Sequence, residues 1–409
     1  MAKIFPFQPY RYAPEAGKLD DLVTQPYDKI TPAMQARYLS LSSYNLVRII
    51  LGERHWSDSD KDNVYTRAAR HLDEWISERV LKQDEEPGLY SYFQEFEVPD
   101  SGERLLRKGF IGLGAVEDYS ANIVYRHEQT LSGPKADRLE LLRNTKAHFG
   151  QIFMLYPDPG GEVDGILEDA AREPPTAQVT DEYGTVHTLW RISGLERISR
   201  IQDLMAAKKL LIADGHHRYE TALAFRNDNP NLVDAGKVMM TFVNLYSPGL
   251  RVLATHRLVS GLPDFSAERF LQKAAGSFTV TPVSSPDQMR EALNGGGRIG
   301  VATADRLNML EPQRPDGRLD LEILHDVLLD KVLGISPEAV RDEQFVRYVR
   351  GLEPAIEEVR KSAQVAFLLH PVSPEKVAEI SFAGGVMPQK STDFYPKLLS
   401  GLTIYKLEQ

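Results

Sequence analysis

The stretch that most constrains this chain is Leu210-Leu211-Ile212-Ala213-Asp214-Gly215-His216-His217-Arg218-Tyr219. An apolar run stops at an acid, a glycine, two histidines and an arginine. A helical pattern then continues through Ala222, Leu223 and Phe225. The pattern predicts a strand, a tight turn and a helix. Gly215 lets the backbone bend at little steric cost. The first amides of a helix have no carbonyl ahead of them, and with the helix dipole they attract an anion. Arg218 offers a planar fork that suits phosphate, and Tyr219 follows it directly. The stretch therefore points to a phosphate site, with Asp214 as the expected ligand of a Mg²⁺ shared with phosphate oxygens. The competing reading is a purely structural turn in which Asp214 caps the helix. His216 and His217 sit about 100° apart around a helix, so they are not the i, i+4 pair of a metal-binding face.

Composition removes several function classes. Lys plus Arg is 48 and Asp plus Glu is 58, a net charge of −10, which argues against a general nucleic-acid binder. The chain has no cysteine, which excludes disulfides, Cys-ligated zinc and thiol catalysis together. Its start, Met1-Ala2-Lys3-Ile4-Phe5-Pro6, has no long apolar segment, and no apolar run of about 18 residues occurs. A cytoplasmic protein with no membrane partner is the expectation. The oligomeric state stays open.

A length of 409 residues predicts two or three domains. Thr31-Pro32 reads as a helix start over about 32–41, and the apolar run Tyr44 to Leu51 reads as a buried strand. Val64, Ala68, Leu72, Trp75, Ile76 and Val80 recur at helical spacing. Residues 89–98 and 104–116 form a predicted hairpin, and a second one turns at Glu182-Tyr183-Gly184. A helix is expected from Lys135 to Ala147, a strand from Gln151 to Tyr156, and two strands around Ser247-Pro248-Gly249. Composition shifts after Gly261-Leu262-Pro263, which sets a domain boundary near 262. Residues 1–262 would form the first domain and 263–409 a C-terminal α/β region. Ser285-Pro286-Asp287-Gln288 is a helix start.

Other polar clusters join the central turn. Arg126-His127-Glu128-Gln129-Thr130 lacks the second histidine of a zinc protease, because position 131 is Leu. Glu128 beside His127 has the chemistry of a general base. Lys135, Asp137 and Arg138 open a helix. Tyr27-Asp28, His256-Arg257 and Lys390-Ser391-Thr392 supply further polar groups, each equally readable as a structural pair, turn or surface tail. Gly295-Gly296-Gly297-Arg298-Ile299-Gly300 fits the G-x-G-x-x-G pattern literally. It lies between a helix and a strand in the wrong order for a dinucleotide fingerprint. His71, His148, His187, His325 and His370 fall inside periodic segments and read as structural.

Together these clusters resemble the bacterial and archaeal family called domain of unknown function 1015. The match runs from Gln25-Pro26-Tyr27-Asp28 and Tyr44-Asn45-x-Val47-Arg48 through His127-Glu128-x-Thr130 and Lys135-x-Asp137-Arg138. It continues with Asp214 to Tyr219, Gly249-Leu250 and Thr255-His256-Arg257, and ends at Met387-Pro388-x-Lys390-Ser391-Thr392. The Asp-Gly-His-His-Arg turn is also similar to the nucleotide-phosphate motif of the ParB and sulfiredoxin superfamily, which includes free L-serine kinases. The sulfiredoxin branch needs a cysteine that this chain lacks. The resemblance implies a mixed α/β fold, an elaborated ParB-like sheet domain with hairpin insertions followed by a smaller α/β segment. It implies ATP or ADP with Mg²⁺, and a phosphotransferase acting on a small hydroxylated metabolite, free L-serine to O-phosphoserine first. In that reading Glu128 takes the acceptor proton and Asp214, Gly215, His216, His217 and Arg218 handle the phosphate. Tyr27, Asp28, Arg126, His127, Thr130, Lys135, Asp137, Arg138, Tyr219, His256, Arg257, Lys390, Ser391 and Thr392 line the pocket, the last three by a returning tail. Asp28 and Asp137 are alternative bases. A nucleotide hydrolase or nucleotide-gated switch, and a non-enzymatic binding or regulatory protein, are the other two readings.

Overall fold

The computed structural model describes every residue except 100, 129–131, 315, 316 and 409, and it gives the backbone alone for 132–134. The chain divides into two compact units. The first comprises Met1–Leu250, Ser381–Gly384 and Pro396–Gln409, and the second Arg251–Ile380 and Gly385–Tyr395. Among the described residues no helix is long and apolar enough to cross a membrane.

The first unit is built on a nine-stranded mixed sheet. Its strands are β1 Ile4–Phe5, β2 Leu89–Glu97, β3 Arg104–Ala115, β4 Val124–Tyr125, β5 Ile152–Tyr156, β6 Ala177–Thr180, β7 Val186–Ile192, β8 Leu210–Asp214 and β9 Lys237–Asn244. They lie in the order β4-β8-β5-β9-β3-β2-β7-β6, with β1 on β3. The two expected hairpins are present as β2–β3 and β6–β7. The helices are α1 Pro32–Leu41, α2 Val47–Ile50, α3 Val64–Ser77, α4 Ser132–Thr145, α5 Glu162–Ala170, α6 Leu195–Ala206 and α7 His216–Asp228. Thr31 caps α1 by accepting the Met34 N–H, with proline at the first position.

One sheet face carries the main core. Leu210 and Ile212 of β8, Ile152 and Met154 of β5, and Val238, Met240 and Phe242 of β9 pack there with Val163 and Leu167 of α5 and Ile198 and Ile201 of α6. Each such fully buried aliphatic contributes about 1.5–3 kcal/mol. A second core joins α2, α3 and Leu141 of α4. Here the expected strand over 44–51 is corrected. Asn45 is buried, its Oδ1 accepts the Val47 N–H at 2.9 Å, and its amide donates to the Asp21 carbonyl at 2.8 Å. These bonds start the short helix α2. Leu46, Val47, Ile49 and Ile50 are all buried, and a run buried on every side carries no period to separate strand from helix.

The second unit is a six-stranded antiparallel sheet. Thr255–Val259 (β10), Phe278–Val283 (β11), Ile299–Ala302 (β12), Leu307–Pro312 (β13), Val346–Arg350 (β14) and Val365–Leu368 (β15) lie in the order β11-β13-β12-β15-β10-β14. Alternation is strict, as strand geometry demands. Val259, Val301, Leu310 and Phe367 face one core, while Leu258, Ala302, Met309 and Ala366 face another. Ala267–Ala274 covers the first face; Pro286–Leu293 and Leu352–Lys361 cover the second. Gly295, Gly296 and Gly297 sit between Pro286–Leu293 and β12, so the literal glycine pattern does not open a helix. The last residues return to the first unit: Ser400 bridges Thr24, Ile404 bridges Tyr10, and Tyr405 pairs with His148.

Candidate active site around the Asp214 turn

Two sheet registers bring the central turn and the Arg126 cluster together. β4 runs parallel to β8, with Leu210 opposite Val124 and Leu211 opposite Tyr125. The residues that follow the two strands therefore leave the sheet at the same end. His127 Nδ1 donates to the Ile212 carbonyl at 2.8 Å, which fixes the proton of the neutral ring on Nδ1. Its ring meets His216 edge-on, with centroids 4.7 Å apart. Glu128 Oε1 stands 3.9 Å from His127 Nε2. Burial holds the His127 imidazolium pKa below its ordinary value. Burial, and then the nearby His127, push His216 down further, so both rings are neutral near pH 7.

The register of β8 against β5 shifts between Ile212 and Asp214, where Met154 faces Ile212 and Phe153 faces Asp214. This bulge at Ala213 turns Asp214 onto the face of Phe153 and away from the Met154 core. On that face Asp214 Oδ2 accepts from Arg218 Nη2 at 2.6 Å and Oδ1 from Lys397 Nζ at 3.2 Å. Burial alone would raise the Asp214 carboxyl; the charges of Lys397, Arg218 and Lys29 outweigh it and hold the pKa far below the usual carboxylate range. Arg218 Nη1 also donates to the Gln151 carbonyl. Among the described residues no side chain caps α7, so Asp214 is not the helix cap of the structural reading. Gly215 has φ +93°, and a Cβ there would meet the Arg218 guanidinium at 3.1 Å.

A second ion cluster lies one turn along α7. Glu220 is buried. Its Oε2 pairs with Lys135 Nζ, and its Oε1 is 3.5 Å from Arg126 Nη1. Asp137 and Arg138 belong to a network of their own. Asp137 accepts from Arg54 and Tyr65 at 2.8 Å each, and Arg138 donates to Asp137 and to the Ile50 carbonyl. The Arg138 guanidinium lies 4.1 Å over the Tyr27 ring. Tyr27, Arg138, Arg218 and Thr221 share the wall of a small cavity of about 60 Å³. Asp28 is exposed beside Tyr27.

Other expected residues belong to the core or to the second unit. Tyr219 is fully buried, and its hydroxyl donates to the Glu117 carbonyl at 2.7 Å and accepts the Glu117 N–H; it is a core residue. His256, Arg257, Lys390, Ser391 and Thr392 belong to the second unit. The tail residue that reaches Asp214 is Lys397. Thr130 lies outside the described residues. Sequence reasoning passed over Lys397, Glu220 and Lys29. Lys397 had a signal: it is the only charge between Phe394 and Tyr405, and a lone charge in an apolar run is buried only when paired.

The donor set at Asp214 does not fit a bare divalent ion. Its carboxylate already faces two cations at bonding distance. Among the described residues no group of three or more His, Asp or Glu is placed to hold a metal. The set does fit an anion: Lys29, Arg126, Lys135, Arg218 and Lys397 accompany the carboxylates of Glu128, Asp214 and Glu220.

No curated protein sequence matches the chain. Among solved structures it is similar to a free serine kinase in complex with ADP, at 14% identity and TM-score 0.40, over 70% of this chain and 89% of that one. It is similar to a conserved hypothetical protein from Pyrococcus furiosus at 14% identity and TM-score 0.36, over 66% and 87%. A C-terminally truncated SbnI from Staphylococcus aureus gives 10% identity and TM-score 0.36, over 71% and 87%. The family described as protein of unknown function DUF1015 matches residues 4–328, and the chain belongs to that family.

Proposed function

We propose that the first unit is a nucleotide-dependent phosphotransferase whose acceptor is a small hydroxylated metabolite. One observation carries the reading. Among the described residues, five cationic side chains and three carboxylates gather around the first turns of α7, whose start no described side chain caps, in a chain of net charge −10. Phosphoryl transfer is mostly positioning and charge neutralisation, and such a cluster supplies both. The first-turn amides of α7 and Lys397 would hold nucleotide phosphates. Arg218 would orient Asp214 and lend charge, since its fork is engaged with Asp214 and Gln151. His216 and His217 would contribute N–H dipoles.

Glu128 is the proposed base. The acceptor hydroxyl gives its proton to the Glu128 carboxylate as its oxygen bonds the terminal phosphorus. The bond from that phosphorus to its bridging oxygen breaks, and the nucleotide leaves one phosphate shorter. Glu128→Gln is expected to lower turnover by about 10²–10⁴-fold while nucleotide still binds; unchanged turnover removes Glu128 from this role. The resemblance of the Asp-Gly-His-His-Arg turn to free L-serine kinases makes free L-serine the first acceptor to test, with ATP or ADP as donor.

Phosphorus NMR of the protein with Mg²⁺, ATP or ADP, and L-serine, beside a serine-free tube, tests the reading. A new phosphomonoester signal only with serine supports it and names the acceptor. Equal free phosphate in both tubes indicates a hydrolase. Nucleotide unchanged in both rejects the serine reaction and leaves a wider acceptor screen to decide between turnover and a binding role.

A further inference from the structure

Two of the sequence clusters, His256-Arg257 and Lys390-Ser391-Thr392, meet in the second unit. Arg257 is buried at the β10 strand, and its Nη2 donates to the Gln389 and Lys390 carbonyls at 3.2 and 3.0 Å. This fastens the 388–392 segment onto β10. Arg257 and Ser391 both line a cavity of about 340 Å³. A neighbouring cavity of about 430 Å³ shares its Gly295–Gly297 loop, Arg318 and Asp320. Both volumes lie in the range of about 300–1,000 Å³ that small-molecule sites occupy.

We propose that the second unit carries its own binding site for a small anionic metabolite, one bearing carboxylate or phosphate groups. Among the described residues that line the 340 Å³ cavity, Arg257, Arg318 and Lys376 stand against one carboxylate, that of Asp320. The ion pairs of Arg318 with Asp326 at 2.9 Å and of Lys376 with Glu379 at 3.0 Å are both well exposed. Such pairs hold weakly, and Lys376 can turn toward a ligand. Gly295, Gly296 and Gly297 all have positive φ. A Cβ at Gly295 or Gly297 would meet nothing within 4 Å. The loop thus presents bare backbone to the cavity, which lets a ligand approach the main chain. Asp320 Oδ2 accepts the Gly297 N–H at 3.0 Å and holds the loop in place.

The test uses the full chain labelled with ¹⁵N-glycine, titrated with inorganic phosphate and separately with succinate. Saturable shifts of the Gly295–Gly297 amides with either probe are expected, and the better probe identifies the head group. The double variant Arg318→Glu/Lys376→Glu is expected to weaken binding by at least about ten-fold. The milder Lys376→Gln gives a smaller loss of the same sign. Lys361→Glu, at an exposed position of the same unit, is expected to change nothing. Absence of saturation with both probes overturns the proposal. Equal weakening by Lys361→Glu also overturns it, by revealing only a diffuse surface charge. Asp214→Asn is expected to leave the glycine shifts intact, so failure of the first-unit phosphotransferase reading is distinguishable from failure here; loss of the shifts in that variant assigns the response to the first unit and overturns the proposal.

Discussion

Gly215 answers to two demands at once, a φ of +93° and a guanidinium 3.1 Å from where its Cβ would be. Gly215→Ala is expected to cost about 1–2 kcal/mol for the left-handed backbone alone, with Arg218 displaced in addition, read as a lowered urea midpoint. Gly215→Asn should recover part of the backbone term, because Asn tolerates that region; equal loss in both variants would place the whole cost in the contact with Arg218. Lys397→Met keeps an unbranched apolar stem and removes the charge beside Asp214. A loss of about 1–3 kcal/mol is expected, and a double-mutant cycle with Asp214→Asn should return coupling of about 0.5–3 kcal/mol. The Asp214 carboxyl is depressed in the fold. Its stabilisation is therefore complete above the unfolded value of about 3.9 and lost as pH falls below that. Asp214→Asn should flatten the acid limb of the stability curve below about pH 4. At this scale the sequence was informative where chemistry is contiguous. Asp214 through Arg218 announced themselves as five adjacent residues, whereas Lys397 acts through a contact 183 residues away and showed only as an isolated charge.

At the scale of elements, strand, turn and helix around Gly215 were legible because apolar run, glycine and helical spacing follow one another without interruption. Both hairpins were legible from alternation bounded by turn residues. The Ala213 bulge was not, since a bulge is a property of the pairing between β8 and β5 and leaves no mark on β8 alone. The parallel pairing of β4 with β8 was equally hidden: β4 has two residues, too few to show a period, yet it delivers His127 and Glu128 to the turn. The segment 44–51 went wrong for a different reason, since complete burial erases the period. Asn45 is the residue that decides it. Asn45→Ala should cost about 1–3 kcal/mol by orphaning the Val47 N–H and the Asp21 carbonyl. Asn45→Asp, which keeps the acceptor but buries a carboxylate against the Asp21 carbonyl, should cost at least as much. Faster amide exchange at Val47 in the alanine variant would locate the damage at the start of α2. A strand at 44–51 would instead tolerate Asn45→Ala with no local change.

The whole molecule carries its histidines in an unusual state. Of ten, His71, His127, His148, His187, His216, His256 and His325 are all held below the ordinary imidazole value, chiefly by burial. His148 and His325 are each lowered to about 4. The unfolded chain takes up protons near pH 6.5, before the folded chain does. The histidine contribution to stability is therefore full above about pH 6.5, falls as pH drops toward 4, and levels below the folded values. The two units can be followed separately. All three tryptophans, Trp56, Trp75 and Trp190, lie in the first unit, so their fluorescence reports on that unit, while far-UV circular dichroism reports on both. Urea midpoints by both probes should fall between about pH 7.5 and pH 5. His148 stacks on Tyr405 with an interplanar angle of 10°, and His148→Phe preserves that packing while removing the proton site. It should reduce the pH dependence of the fluorescence transition. Among the described residues His325 Nε2 is buried without a hydrogen-bond partner, so His325→Phe loses no such bond at that nitrogen and should reduce the pH dependence of the dichroism. If the units unfold independently, His325→Phe leaves the fluorescence transition where it was; if they unfold as one cooperative body, it moves both. A fluorescence midpoint as pH-sensitive in His148→Phe as in the parent chain would show that this ring is not excluded from protonation by the fold.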